Sequence, residues 1–188
     1  MFRLSASVAG LLIVLTVAGG CAKKEVLMPH SATAPYGVDF SGTWVIREEE
    51  SASQVSINRA VSQTSGSGKR TSSRNRGGSS LVQVFLETGK RLKITQTTEG
   101  FFVSLDRSVV EEFRFGESRT ISVGQIEAER VSGWDDAVYT VQTLDKKGMK
   151  LTDRFWLSDD KNVLLREITF SNRNKKDVVL MQFFDRAR

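Results

Sequence analysis

The chain has 188 residues, with 27 Lys and Arg, 22 Asp and Glu, one His, one Cys and a net charge of +5. A single Cys cannot form an internal disulfide, and one His with one Cys cannot supply a Cys/His zinc site. Hydrophobic residues make up 39% of the chain and charged residues 26%, which is typical of a globular protein and excludes a disordered chain or one with many membrane spans. We expect no metal and no cofactor.

Residues 1–20 have the pattern of a secretory signal peptide. Arg3 follows Met1 and Phe2 and gives a positive start, and an apolar run then extends from Val8 to Ala18. This run is shorter than the roughly 20 apolar residues that span a bilayer. We therefore predict that residues 1–20 are an export signal that is cleaved.

The segment Ala18-Gly19-Gly20-Cys21 resembles the lipobox of bacterial lipoproteins. The resemblance implies that Cys21 becomes the new N-terminus and carries a diacylglycerol and a third acyl chain. Each buried methylene contributes about 0.8 kcal/mol, and more than one chain gives stable anchoring. Ala22, in place of Asp, implies sorting to the outer membrane with the domain facing the periplasm. An ordinary signal peptide with an unrelated Cys is the alternative.

Residues 21–38 separate this Cys from the folded domain. They contain both prolines, Pro29 and Pro35, and the single histidine, His30, without any periodicity. Such a pattern predicts a flexible tether. We accordingly expect His30 to be solvent-exposed and without a role.

The remainder of the chain, residues 39–188, contains no proline and consists of short β-branched and aromatic runs between turn signals. These runs predict strands at 43–48, 91–97, 101–105, 109–115, 119–123, 125–132, 137–144, 149–157, 163–171 and 178–186, and 80–87 as a short helix or a further strand. Because closing a sheet removes its exposed edges, we predict an all-β fold: a single antiparallel meander barrel of about 8–10 strands.

Residues 51–80 are rich in Ser, Gly and Arg and contain no acidic residue. Their composition predicts a disordered loop in the barrel, docked at most by a few apolar residues of its first half. The excess positive charge of the protein lies here, on Arg59, Lys69, Arg70, Arg74 and Arg76. Export and the absence of interleaved aromatic residues exclude a nucleic-acid partner. The loop is either simply solvated or contacts an anionic envelope surface.

The segment Phe40-Ser41-Gly42-Thr43-Trp44 resembles the G-x-W signature that opens lipocalin barrels. In that family the Trp plugs one end of the barrel against an arginine near the end of the chain, and Arg186 is the matching candidate here. A cation–π contact of this kind contributes about 0.5–2 kcal/mol. Residues 124–135, 151–160 and 182–186 also resemble uncharacterised lipocalin-like bacterial envelope proteins. That resemblance implies a barrel of eight or more strands and no catalytic residue.

Three polar residues fall on strand faces that are otherwise apolar: Gln96, Arg130 and Asp153. We interpret them as groups that orient an amphiphilic ligand in a mainly apolar cavity, since a barrel of about eight strands can enclose one small ligand. The alternative is an internal ion pair such as Arg130–Asp153, because buried charges are generally paired.

The sequence contains no nucleophile elbow, P-loop, HExxH or EF-hand spacing. It therefore predicts an outer-membrane lipoprotein that faces the periplasm and binds a small amphiphile or lipid without catalysis. Two alternatives remain open. The protein scaffolds a cell-envelope assembly through a protein partner, or it is an enzyme.

Overall fold

A computed structural model describes residues 25–64, 81–106, 109–173 and 175–187. The elements in chain order are strand β1 (Gly42–Ile46), helix α1 (Gln54–Thr64), a 3₁₀ helix (Leu81–Phe85), and strands β2 (Arg91–Gln96), β3 (Gly100–Leu105), β4 (Val109–Arg114), β5 (Glu117–Val123), β6 (Ile126–Asp135), β7 (Val138–Asp145), β8 (Met149–Leu157), β9 (Val163–Asn172) and β10 (Lys175–Arg186). The ten predicted strands and the all-β fold are confirmed. No helix in the described ranges is both long enough and apolar enough to cross a membrane.

The ten strands form one antiparallel sheet in the order β4-β3-β2-β1-β10-β9-β8-β7-β6-β5. Pairing of the first strand with the last, with Trp44 opposite Arg186, curls this meander into a nearly closed barrel. The two edges of the sheet, β4 and β5, meet along a seam without a ladder of backbone bonds. Side chains bridge the seam instead: Arg119 Nη2 donates to the Glu112 carbonyl at 3.3 Å, and Ser132 Oγ donates to the Arg114 carbonyl at 2.9 Å.

One end of the barrel is closed by aromatic rings, and we call it the plug end. The rings of Phe101 and Tyr139 lie 4.3 Å apart between centroids, and those of Phe40 and Trp134 lie 5.3 Å apart. Trp44 completes this cluster and is fully buried. Edge-to-face and tilted pairs of this kind add to the burial of apolar area.

The opposite end is covered by α1 and the 3₁₀ helix, which together we call the lid. Ile57, Ala60, Val61 and Val82 of the lid pack in one cluster with Met149, Leu151, Ile168 and Phe170 of the barrel. Gln83 donates to Asn58 Oδ1 at 3.2 Å and joins the two pieces. This lid end therefore has its own small apolar core.

Helix α1 differs from the prediction of a disordered loop over residues 51–80. Its buried residues Ile57, Ala60, Val61 and Thr64 recur at spacings of three and four, which is the period of an amphipathic helix. Ser53 caps it, since its Oγ accepts the N–H of Ser56 at 3.3 Å. Residues 65–80 lie outside the described part of the chain, and residues 81–85 form the 3₁₀ helix rather than a strand.

Residues 25–38, which we call the strap, also differ from the predicted flexible tether. Leu27 is buried against Val131 and Leu144, and Ser31 exchanges two backbone hydrogen bonds with Trp134, at 3.1 and 2.9 Å. The strap can approach β6 closely because residue 133 is glycine: a Cβ there would lie 2.6 Å from the Ser31 oxygen. The strap is thus fixed first along the outside of the barrel and then across its plug end.

Candidate functional site

A cavity of about 30 Å³ lies inside the barrel between the lid and the aromatic plug. It has room for about two water molecules. Apolar side chains form most of its wall, namely Phe85, Leu92, Val103, Leu105, Phe113, Val141, Leu151 and Phe155. The polar part of the wall consists of Glu87, Glu111, Arg130, Thr143, Asp153 and Arg166.

Arg166 of β9 and Asp153 of β8 form a two-pronged ion pair in this wall. Arg166 Nε donates to Asp153 Oδ1 at 2.8 Å, and Nη2 donates to Oδ2 at 2.5 Å. Asp153 lies opposite Ile168, so the two partners are diagonal neighbours across antiparallel strands. Arg166 also donates to the Glu87 carbonyl at 3.0 Å and to Gln182 Oε1 at 3.4 Å. Most of the N–H donors of Arg166 therefore have an acceptor.

Arg130 of β6 is buried as deeply but bonded less well. It donates to Thr143 Oγ1 at 3.2 Å, to Glu111 Oε2 at 3.4 Å and to the Phe85 carbonyl at 3.5 Å. All three distances exceed the usual N–H···O distance of about 2.9–3.0 Å. A guanidinium carries five N–H donors, and hydrogen bonds to charged groups are normally short. Arg130 is thus the weakly bonded cation of the cavity.

Burial dominates the ionisation of Arg130 and its partner Glu111. Loss of solvation lowers the pKa of Arg130, although the neighbouring Glu111 carboxylate opposes this. Loss of solvation also raises the pKa of Glu111, and the Arg130 guanidinium opposes that shift. Each charge is therefore costly to keep in the wall, and the attraction between the two compensates only in part.

The sequence-predicted cavity residues do not all meet. Arg130 and Asp153 line the same cavity, but Arg130 pairs with Glu111 and Asp153 pairs with Arg166. Gln96 lies at the plug end, where its Oε1 accepts the Phe40 N–H at 2.9 Å and its Nε2 donates to the Val38 carbonyl at 3.0 Å. Alternation along a strand shows which face of the sheet a residue occupies, but it does not show the position of that residue along the barrel axis.

Four polar residues of the wall were not singled out from the sequence: Glu87, Glu111, Thr143 and Arg166. A signal for Arg166 is present, because it alternates with the buried residues Leu164 and Ile168 along β9. Glu111 has no comparable signal. It reaches Arg130 across the seam between β4 and β5, and no local pattern reports that contact.

Trp44 and Arg186 lie together at the plug end. The guanidinium carbon of Arg186 is 4.1 Å from the Trp44 ring centre, and its Nη1 donates to the Ser41 carbonyl at 2.8 Å. Gly42 makes room for this arginine, since a Cβ at position 42 would lie 2.8 Å from Arg186 Nη1. Both residues close the barrel and lie apart from the cavity.

The other predicted residues are distributed as follows. Arg59 is exposed on α1, whereas Cys21, Lys69, Arg70, Arg74 and Arg76 lie outside the described residues. His30 differs from the expectation of solvent exposure: its side chain is 12% exposed and its Nδ1 lies 2.9 Å from Asp135 Oδ1. Within the described ranges, no group of three or more His, Cys, Asp or Glu residues is arranged to hold a metal ion.

No family model matches the sequence, and no curated protein matches it. Several solved structures are similar in fold, and two of them are described here by name. A secretory abundant heat soluble protein of Ramazzottius varieornatus is 11% identical with a TM-score of 0.50, over 79% of this chain and 95% of that one. Fatty-acid-binding protein 1 of Echinococcus granulosus is 13% identical with a TM-score of 0.51, over 79% of this chain and 98% of that one. The chain therefore has a nearly closed, ten-stranded antiparallel barrel of the lipocalin and fatty-acid-binding-protein type.

Proposed function

We propose that this protein binds one small amphiphile or lipid inside its barrel, without catalysis. The observation that carries the proposal is Arg130: a buried guanidinium whose three hydrogen bonds are all long, at the wall of a mainly apolar cavity. Burying a charge without good partners is costly. An anionic or strongly polar head group would supply the missing acceptor, and the apolar wall would surround the tail. Fatty-acid-binding protein 1 of Echinococcus granulosus bears the name of such a ligand, and its barrel is of the same type.

Ligand entry requires the lid to move. Pockets for small molecules usually measure about 300–1,000 Å³, whereas the cavity measures about 30 Å³. The carbonyl of Phe85 in the lid accepts a hydrogen bond from Arg130, and that of Glu87, two residues after the lid, accepts one from Arg166. A bound head group would replace at least the hydrogen bond between Arg130 and the Phe85 carbonyl. Ligand binding would therefore displace the lid.

The cavity offers little to an enzyme. Three carboxylates line it, those of Glu87, Glu111 and Asp153, and the last two are each paired with an arginine. A general acid or base must reach a substrate within hydrogen-bond distance, and these two groups are already engaged by their partners. This arrangement favours binding over catalysis.

We further propose that the protein is anchored in the outer membrane through acylated Cys21 and faces the periplasm. The lipobox-like segment before Cys21 supports the acylation, and Ala22 supports the sorting. The basic residues around Arg59, in this proposal, lie near anionic envelope lipids.

The binding proposal is tested on protein extracted from its own membranes in mild detergent. Mass spectrometry of the intact protein should show one retained amphiphile, which organic extraction removes.

The variant Arg130→Gln should weaken rebinding of dodecyl sulfate by roughly 10- to 100-fold, since hydrogen bonds to charged groups contribute about 1.5–3 kcal/mol. Arg154→Gln is the matched control, because Arg154 pairs with Glu167 on the outer face of β8 and β9. Equal binding by both variants would contradict the assignment of Arg130.

The alternative function is a scaffold for a cell-envelope assembly, and the small size of the cavity favours it. A barrel filled by its own side chains has no need of a ligand. If the extracted protein carries no amphiphile and binds none, and if it can be crosslinked in cells to an envelope protein, the scaffold function is supported instead.

A further inference from the structure

The charges in the cavity wall do not balance. Two guanidinium groups line the cavity, those of Arg130 and Arg166. Three carboxylates line it as well, those of Glu87, Glu111 and Asp153. With all of these groups ionised, one negative charge is in excess. A purely anionic head group would increase this excess, and charge inside a protein is costly unless it is paired.

Arg166 and Asp153 neutralise each other. Their side chains form the two-pronged ion pair, and Arg166 also donates to Gln182 Oε1 and to the Glu87 carbonyl. This pair leaves neither of its charges for a ligand. A head group would therefore meet the charges of Arg130, Glu111 and Glu87.

Glu87 is the carboxylate of the wall that lacks a partner. Its backbone carbonyl accepts a hydrogen bond from Arg166, but its carboxylate forms no ion pair and accepts no hydrogen bond within the part of the chain that the structure describes. The residue is half-buried and lies two positions after the 3₁₀ helix, in the segment that leads into β2. A carboxylate at the wall of a largely apolar cavity is a ready acceptor for a cationic group.

The carboxylate of Glu87 lies close enough to Glu111 for the two charges to interact. Burial is the main cause of the raised pKa of Glu111, Arg130 opposes it, and the carboxylates of Glu87 and Asp153 raise that pKa further. Glu111 Oε2 in turn lies 3.4 Å from Arg130 Nη1. Arg130, Glu111 and Glu87 are thus neighbours in the wall, with one positive and two negative charges.

This charged part of the wall lies next to the lid, and the apolar part extends away from it. Arg130 Nη2 donates to the Phe85 carbonyl of the lid at 3.5 Å. Leu92, Val103 and Val141 belong instead to the apolar cluster that continues to the plug end. A head group is therefore accommodated beneath the lid, with the tail directed towards the plug end.

We propose that Glu87 is an ammonium-binding contact and that the ligand is a zwitterionic amphiphile, with one anionic and one ammonium group in its head. The anionic group binds Arg130, which uses three of its five N–H donors within the described ranges. The ammonium group binds Glu87. An anionic head group alone would increase the excess of negative charge, and a cationic one alone would leave Arg130 weakly bonded. This inference rests on the proposed function and narrows its ligand class.

Three amphiphiles with the same dodecyl tail test the ligand class: dodecyl phosphoethanolamine, dodecyl ethyl phosphate, which lacks only the ammonium group, and dodecylamine. Each is titrated calorimetrically into the delipidated protein at neutral pH and below its micellar concentration. The phosphoethanolamine should bind about tenfold more tightly than either of the others, because it alone bonds to both Arg130 and Glu87. Tighter binding of the phosphate or of the amine would overturn the inference and leave the proposed function standing. If none of the three binds, the proposed function itself fails.

The variant Glu87→Gln tests the contact. It should weaken binding of the phosphoethanolamine about tenfold and should tighten binding of dodecyl ethyl phosphate, because one repelling carboxylate is gone. The second effect is a gain of affinity, which a misfolded variant cannot produce. Glu112→Gln is the matched control, since Glu112 pairs with Arg114 outside the cavity and should change neither affinity. Unchanged affinities of Glu87→Gln for both compounds would overturn the assignment of Glu87.

Discussion

Asp153 and Arg166 form an ion pair that neutralises two charges inside the barrel. Both side chains are buried, and each depends on the other for neutralisation. Replacing one partner of such a pair leaves an uncompensated buried charge, which typically costs about 3–5 kcal/mol. We expect Asp153→Asn to lower the free energy of unfolding in urea by an amount of this order.

Glu167→Gln provides the control for that experiment. Glu167 pairs with Arg154 at 3.3 Å, and the arginine side chain is 40% exposed. Exposed ion pairs contribute about 0–1 kcal/mol. If both substitutions destabilise the protein equally, the Asp153–Arg166 pair has no special role in the interior.

We expect Glu111 to make the proposed ligand binding dependent on pH. Burial raises its pKa, so the folded protein takes up this proton at a higher pH than the unfolded chain does. The ionised form therefore destabilises the fold at neutral pH, and this effect disappears as the pH falls below the ordinary value. Protonation also removes the counter-charge of Arg130. Binding of an alkyl sulfate, which stays ionised, should tighten as the pH falls through the raised pKa of Glu111.

The variant Glu111→Gln tests this linkage by titration calorimetry at several pH values. It should bind the alkyl sulfate more tightly than the native protein at neutral pH and should lose the dependence on pH. Glu112→Gln is the control, since the neighbouring Glu112 pairs with Arg114 and does not line the cavity. A pH dependence that survives Glu111→Gln would show that another group is responsible.

Helix α1 packs on the lid end of the barrel through its buried apolar residues. Ile57 is 1% exposed within the lid cluster, whereas Val55, two residues away, is 67% exposed. Truncating a buried Ile to Ala usually costs about 2–5 kcal/mol. Ile57→Ala should accordingly destabilise the protein in urea, and hydrogen exchange of α1 should accelerate if the lid opens separately.

Val55→Ala serves as the comparison for the helix. Surface substitutions away from special features usually stay within about 0.5 kcal/mol. An equally mild effect of Ile57→Ala would mean that α1 is not packed as the structure shows.

The proposed lipid anchor at Cys21 is a prediction about the whole molecule. Cys21→Ser should remove the acyl chains and move the protein from the membrane fraction to the soluble fraction, while the unfolding transition of the barrel stays the same. Fractionation and intact mass measure these two outcomes. Ala22→Asp is the control, because it should keep the acyl chains and redirect the protein to the inner membrane. Membrane retention of Cys21→Ser would refute the anchor.

Much of the fold can be predicted from the sequence because strands are defined by local alternation and bounded by local turn signals. The run Met149 to Leu157 shows this, since its buried residues alternate with less buried ones as the pattern predicts. Helix α1 was missed because only four buried residues interrupt a Ser-rich segment, and these stabilise the helix only when they meet Ile168 and Phe170 from the far end of the chain.

The candidate site could be predicted only in part, for the same physical reason. Alternation identifies Arg130 and Asp153 as inward-facing, because the side-chain period of a strand is two. Their partners depend on strand register and on closure of the barrel: Arg166 meets Asp153 diagonally, and Glu111 meets Arg130 across the seam. Gln96 occupies the expected face of β2, but it lies at the plug end of the barrel and not beside the cavity.

Local pattern alone is sufficient for the strand positions, the meander and the inward faces, since each depends on interactions between residues close in the chain. The tertiary structure decides which charges pair, how little space remains inside, and that the strap returns Glu25 to the lid end. These features depend on contacts between residues far apart in sequence. Such contacts exist only once the sheet has curled and its first and last strands have paired.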